Sequence, residues 1–393
     1  MSKSIIFIGL CCLLGVKAQA QTSLTVRAQV SLLTCSPSDK AAYTLYGHTA
    51  VRVRDTTGID VVFNYGLFDF SQSHFIYRFT KGETDYVLGA CHYNDFLMDY
   101  QMRGSEVYEQ TLNLTQSEKD ALFQALIVNI RPENRVYRYS FFYDNCSTRP
   151  AAMIERYVDG HIDYEGYSNA HTFRDEINRC TRDDPWLTFG CDLVLGCPAD
   201  RQMTLHESFF LPANVKNAFS YAKIVRSDGT SQPLVAATSV LVESISDDEP
   251  EPAMFVTPLL CGWLLFAFAA MLTWMEWRTK KYFRWFDVAL FLMAGIAGCV
   301  LYFLCFISVH RGIWPNVSVI WLHPFHLVGV ACIAVKKLNK LASCYHLINF
   351  AAILLLPVVW FAMAQHLNMA FIPLILTLWM RSGYDLVKKK ICK

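Results

Sequence analysis

Residues 47–65 read GHTAVRVRDTTGIDVVFNY, and the period of this stretch decides the fold class. Apolar and polar side chains alternate through 47–54 and again through 59–65, the pattern of a half-buried strand. Asp55-Thr56-Thr57-Gly58 between them is a turn signal, so the two runs predict an antiparallel hairpin. Working outward, Ser23–Leu32 alternates with Leu24, Val26, Ala28, Val30 and Leu32 on one face. Tyr86–His92, Val107–Leu114 and Tyr137–Phe142 predict further strands, and 222–242 a hairpin turning at Asp228-Gly229. Thr115 with Glu118 three residues later is a capping box that opens a helix. Residues 147–158 predict another helix, with Pro150 in its first turn, where a missing N–H costs little. Strands and helices in this order make the class α+β.

The chain has 393 residues, 53% hydrophobic and 18% charged, below the roughly 25% charged of ordinary soluble domains. Its 35 Lys+Arg and 34 Asp+Glu cancel only on average. Residues 21–253 hold 20 basic and 31 acidic side chains, net −11; residues 254–393 hold 13 and 3, net +10. This composition excludes a disordered chain and a collagen, and an acidic polar part argues against nucleic acid as a partner. A hydrophilic acidic part joined to an apolar basic one is instead the composition of a membrane protein with a large soluble domain.

Targeting signals agree. Lys3, an apolar run from Ile5 to Val16 and the small-residue site Ala18-Gln19-Ala20 predict a signal peptide over 1–20. The C-terminal part predicts five spans, near 254–276, 286–308, 318–335, 344–364 and 367–381, most approaching the ~20 residues that a bilayer core requires. Arg278, Lys280, Lys281 and Arg284 mark the first loop, Lys336, Lys337 and Lys340 the third, and Lys388, Lys389, Lys390 and Lys393 the tail. The positive-inside rule then places the soluble domain outside the cytoplasm. The expected organisation is a signal peptide (1–20), a soluble domain outside the cytoplasm (21–243), an acidic linker containing Pro252 (244–253) and a transmembrane domain (254–393).

The junction of 137–142 with the helix after it carries the candidate chemistry. Cys146 stands where a helix begins, and the orphan N–H groups and dipole of a helix start favour thiolate over a free thiol of pKa about 8.5. A nucleophilic Cys also needs a base, and His48 is the candidate. A third group should hold the imidazole, and Asn64 and Tyr65 on the following strand are the options. An odd-length hairpin loop favours Asn64 and an even one Tyr65, because side chains alternate faces. The competing reading is structural: Cys35, Cys91, Cys146, Cys180, Cys191 and Cys197 are six cysteines in an oxidising compartment, enough for three disulfides. No Cys or His spacing matches a closed zinc site. His323 and His326, one helical turn apart in a predicted span, are weighed between a lipid-contacting role and packing between helices. Trp186, Phe209 and Phe210 are weighed between membrane docking and core. Arg103, Arg149 and Arg174 are weighed between phosphate binding and surface ion pairs.

The stretches 30–53 (VSLLTCSPSDKAAYTLYGHTAVRV), 60–70 (DVVFNYGLFDF), 109–115 (EQTLNLT) and 139–149 (YSFFYDNCSTR) resemble the Lnb family, lipoprotein N-acyltransferases of Bacteroides-type bacteria. The resemblance continues through Pro185-Trp186, 192–196 and 210–212 into the polytopic C-terminus; its most specific pieces are Gly47-His48-Thr49 and 144–148 (DNCST). The order His before Cys is also similar to the circularly permuted papain-like arrangement of the lecithin:retinol acyltransferase group, which moves acyl chains through a Cys thioester. The resemblance implies a papain-like periplasmic enzyme with Cys146 and His48 as its dyad, followed by about five transmembrane helices. It implies a multi-pass protein of the bacterial inner membrane. An acyl chain would pass from a phospholipid to Cys146, and then to the α-amine of a diacylated lipoprotein. The thioester stores the activation, so no cofactor is expected. Two rival classes stand beside it: a membrane-anchored cysteine peptidase or amidase of the cell envelope, and a non-enzymatic receptor or assembly factor.

Overall fold

The computed structural model describes residues 23–38, 44–68, 73–168, 170–244 and 255–391. The expected signal peptide, the expected linker apart from Ser244, and Lys393 of the basic tail lie outside them. The elements run β1 (Gln29–Cys35), β2 (His48–Arg54), β3 (Asp60–Leu67), α1 (Phe75–Lys81), β4 (Asp85–His92), α2 (Tyr93–Arg103), β5 (Val107–Leu112), α3 (Gln116–Asn129), β6 (Val136–Arg138), α4 (Thr148–Arg156) and β7 (His161–Asp163). They continue with α5 (Phe173–Thr181), α6 (Pro185–Val194), α7 (Leu205–Ser208), α8 (Pro212–Tyr221), β8 (Lys223–Val225), β9 (Ser231–Pro233) and β10 (Val235–Val242). The last helices are α9 (Pro258–Thr279), α10 (Arg284–Phe306), α11 (Phe325–Ala334), α12 (Asn339–Met363) and α13 (Phe371–Ile391). Of the described residues, 23–79, 83–170 and 203–244 form one compact unit; 80–82, 171–202 and 255–391 form a second.

The first unit is mixed α and β. Seven antiparallel strands form a sheet in the order β10-β5-β1-β2-β3-β4-β6, and β7-β8-β9 form a smaller one. The expected hairpin is β2–β3, with Ala50 opposite Asn64 and Arg54 opposite Asp60, which leaves a five-residue loop, 55–59. Asp55 fixes that loop by accepting the N–H groups of Thr56 (2.6 Å) and Thr25 (3.0 Å). Burial raises the Asp55 pKa, but hydrogen bonds from Thr25, Thr56 and Thr57 outweigh it and hold the carboxyl at about 2. The same bonding shortens β1 relative to the expected strand 23–32. Leu24 N–H goes to Asp120 (2.7 Å) and Thr25 N–H to Asp55, so the chain turns before the ladder begins and Val26 is exposed.

Both faces of the sheet are covered, which is why β1 is buried continuously from Val30 to Cys35. One face, with Leu33, Ala50 and Val62, packs on Phe96 and Tyr100 of α2. The other, with Val51, Phe63 and Leu88, packs on α3, α4 and α8 through Leu122, Ile154 and Phe219. Each such fully buried side chain contributes roughly 1.5–3 kcal/mol. The capping box of α3 is formed as expected, Thr115 and Glu118 each satisfying the other's backbone N–H. The strand expected over 137–142 is cut to β6, because Ser140 and Asp144 bond reciprocally (3.0 and 2.9 Å) and turn the chain. The hairpin expected over 222–242 is β8–β9; β10 then leaves it to pair with β5 at the edge of the large sheet.

In the second unit, Pro258–Thr279, Arg284–Phe306, Val317–Ala334 and Lys336–Met363 are long and apolar enough to cross a membrane. Among the described residues these four segments meet the criterion; the fifth expected span falls on α13. α13 extends to Ile391, past the expected end at 381, and is interrupted on its inner side by buried Arg381, Ser382 and Asp385. Arg381 donates to Asp287 (2.6 Å), Glu276 (2.8 Å) and Thr273 (2.7 Å). A full charge is tolerated there because two carboxylates compensate it. Pro324 stands at the N-cap of α11; the His323 and His326 rings stack at 3.9 Å, and His326 bonds to Tyr345 (2.5 Å) and the Trp321 carbonyl (3.0 Å). Arg174 is no surface residue. It is 1% exposed and donates to Asp192 (3.0 Å) and Asp200 (2.7 Å).

Candidate functional site

The site grows from the start of β2. Gly47 has φ +77°, and a Cβ there would lie 2.6 Å from the Cys35 carbonyl oxygen, so only glycine lets the chain enter the strand at this point. His48 follows directly. Because the hairpin loop is odd in length, His48 and Asn64 share a face, and Nε2 lies 3.2 Å from Asn64 Oδ1. Asn64 Nδ2 donates to the Val62 carbonyl (3.3 Å), which fixes Oδ1 as the atom turned to the ring. Nε2 therefore carries the ring proton, and Nδ1 keeps its lone pair. Among the described residues Nδ1 has no hydrogen-bond partner. Tyr65, the other option for holding the imidazole, points to the opposite face. Its hydroxyl donates to Asn129 (2.8 Å), and it is 1% exposed in the core against α3.

Cys146 lies one residue before Ser147, the N-cap of α4. The expectation that free helix-start N–H groups would serve the thiol is corrected by Asn145. Its Oδ1 accepts both Ser147 N–H (2.8 Å) and Thr148 N–H (2.9 Å). Its amide nitrogen donates to the carbonyls of Phe141 (2.7 Å) and Phe210 (2.8 Å), so a buried asparagine pins the loop that carries Cys146. The thiol is held instead by the backbone N–H of Thr49, next to His48, and by its own N–H. Thr49 and Ser147 also bond through their hydroxyls at 3.4 Å, tying β2 to α4. On the third side stands Gly66, φ +92°, where a Cβ would meet the Cys146 Cβ at 3.0 Å.

Electrostatics set the resting protonation states. Burial pushes the Cys146 thiol up to about 11, and the two N–H groups recover only part of that. Burial pulls His48 down to about 4 against the Asn64 hydrogen bond. The resting states are thus a neutral thiol and a neutral imidazole. Burial and then the Cys146 charge raise Tyr86 to about 12 and Tyr139 well above the ordinary phenol value. Tyr137 responds in the same direction, and among the described residues its buried hydroxyl has no hydrogen-bond partner.

All six cysteines of the expected soluble half are free thiols. Cys35 lies opposite His48 on β1 and is buried; Cys91 takes the Asn64 amide at 3.5 Å. Arg149 pairs with Asp144 (2.5 Å) and covers the Tyr137 ring at 3.6 Å, and Arg103 pairs with Asp99 (2.5 Å). Phe209 and Phe210 are core residues, 2% and 1% exposed, while Trp186 is 43% exposed. Among the described residues no group of three or more His, Cys, Asp or Glu side chains is placed to hold a metal ion. Thr49, Gly66 and Asn145 are the site residues that sequence reasoning assigned no role. The last had a readable signal, an Asn two residues before a Ser-Thr helix start.

No curated protein and no solved structure matches the chain. Residues 17–179 match the family model described as the Lnb N-terminal periplasmic domain, and residues 250–391 match the Lnb transmembrane domain. The two matches follow the order of the soluble and the apolar parts of the sequence and together span well over half of it. The chain belongs to the Lnb family, with a periplasmic domain followed by a transmembrane domain.

Proposed function

We propose that this protein is a lipoprotein N-acyltransferase of the inner membrane, with a circularly permuted papain-like domain facing the periplasm and no cofactor. One observation carries the reading. The Cys146 thiol is held by the backbone N–H of Thr49, the residue that follows His48, and the His48 ring is bonded to Asn64. Those are the parts of a covalent acyl-transfer site: nucleophile, base and orienting group.

In the first step the sulfur attacks the ester carbonyl of a membrane phospholipid, and His48 Nδ1 takes the thiol proton. The carbonyl–oxygen bond of the ester breaks, the lysophospholipid leaves with the proton from His48, and a Cys146 thioester remains. In the second step the α-amine of a diacylglyceryl-cysteine attacks the thioester while His48 accepts its proton. The C–S bond breaks, the amide forms, and the sulfur regains a proton. The N–H groups of Thr49 and Cys146, which hold the sulfur at rest, are the donors that this reading assigns to the developing oxyanion. A neutral His48 suits this role, because it must accept a proton at the moment of attack.

Both substrates are lipid-anchored, and a chain with four apolar helices meets them within the bilayer plane at high effective concentration. A peptidase or amidase would use the same dyad on a polar substrate and gain nothing from several spans. The deciding measurement is intact mass after incubation with diacyl phospholipid. Wild type gains one acyl group that neutral hydroxylamine removes; Cys146→Ala gains none, and His48→Ala gains it far more slowly. An unmodified wild-type protein that still supports lipoprotein assembly would replace the enzyme by a binding protein.

A further inference from the structure

We propose that one acyl chain of the lipid donor lies along a strip of aromatic rings running from Cys146 to an exposed apolar turn on α1; the proposal rests on the acyl-transfer reading above. Cys146 and Tyr139 pack against the same core cluster that contains Tyr86, and the Tyr86 and Tyr139 rings stack on each other at 4.0 Å. Tyr86 meets Phe68 at 5.0 Å, Phe68 stacks on Phe75 at 6.0 Å, and Phe75 stacks on Phe79 at 5.8 Å. Cys146, Tyr139, Phe68 and Phe75 are half-buried and Tyr86 between them is buried, so an acyl chain would lie over the partly exposed rings on either side of Tyr86. The strip finishes at Phe79, 51% exposed, with Ile76 at 80% beside it.

Two features select the occupant. The strip ends on a nucleophile, so whatever lies on it must carry an electrophilic carbonyl at that end. The remainder is apolar and unbranched in its path, one ring after another, with Arg78 drawn aside to Asp85 at 3.2 Å. A fatty acyl ester has this form: a carbonyl at one end and a linear hydrocarbon behind it. Large apolar side chains exposed on a seven-residue helix are the kind of surface that marks a lipid or ligand contact. The four apolar helices keep the protein where such esters are the surrounding solvent.

The test uses full-length protein in phosphatidylethanolamine vesicles containing a phospholipid with a diazirine on its acyl chain. The Cys146→Ala variant is irradiated, so that labelling does not depend on chemistry. Adducts on Phe68 or Tyr139 as well as Phe79 are expected; adducts at Phe79 alone, or only on the spans, overturn the proposal. In parallel, the acylation rate of Cys146 is compared between dipalmitoyl and dihexanoyl phospholipid. Phe79→Asp and Ile76→Asp should lower the long-to-short ratio at least tenfold, and Phe79→Leu should keep it; an unchanged ratio counts against the strip. Labelled rings with a wild-type Cys146 that never acylates would sink the transferase reading and leave the strip standing. Acylation with no labelled rings and an unchanged ratio would do the reverse.

Discussion

The thiol of Cys146 is closed in by two residues that offer it no side chain: Thr49 gives an N–H, and Gly66 gives space. At Gly66→Ala the new Cβ would press on Cys146 at 3.0 Å from a backbone with φ +92°. The strain should cost about 1–3 kcal/mol, read as a lower thermal midpoint, together with slower acylation of Cys146. Protonation gives a second prediction. With the thiol at about 11 and His48 at about 4, iodoacetamide should alkylate Cys146 slowly at pH 7, with the rate rising roughly tenfold per pH unit and no plateau below pH 10. A flat rate from pH 5 to 8 would instead mean a resting thiolate–imidazolium pair. Sequence made Cys146 and His48 legible as residue types in a strand–Cys–helix setting. It did not make their charge states legible, because the helix start that should favour thiolate has its N–H groups taken by Asn145.

At the scale of the element, the β2–β3 hairpin decides which residue orients His48. Its alternation and turn were readable, but the pairing register was not, because Asp60 rather than Ile59 opens β3 and makes the loop odd. Asn64→Ala should therefore slow thioester formation on the order of 10²-fold by releasing the imidazole, with little change in midpoint. Tyr65→Phe should do the opposite, keeping the rate and losing about 1 kcal/mol of stability with its bond to Asn129. Equal effects of the two on rate would refute this division of roles. The shortened β1 and β6 were hidden for a related reason. Each ends where side-chain or turn hydrogen bonds, from Asp55, Asp120 and Ser140, outcompete a strand partner many residues away.

At the scale of the whole molecule, the apolar character of the C-terminal part and the mixed character of the rest were plain in composition. The partners of Arg381 were not, since Glu276 and Asp287 lie about a hundred positions earlier in the chain. Arg381→Leu leaves two buried carboxylates uncompensated and should destabilise the protein by about 3–5 kcal/mol. Replacing Glu276 and Asp287 by Leu in the same variant should recover most of the lost midpoint in detergent unfolding. The interleaving of the two units also bears on how the molecule is made. Residues 171–202 are synthesised between two parts of the first unit yet pack with helices that come after residue 255. During export this stretch emerges with Arg174 already able to find Asp192 and Asp200, but with Phe189 still lacking Phe371, its ring partner at 5.1 Å. The ribosome must add roughly 170 more residues before that contact can form, so assembly of the second unit is a late event in biogenesis. A soluble fragment ended at residue 243 would keep this stretch permanently waiting.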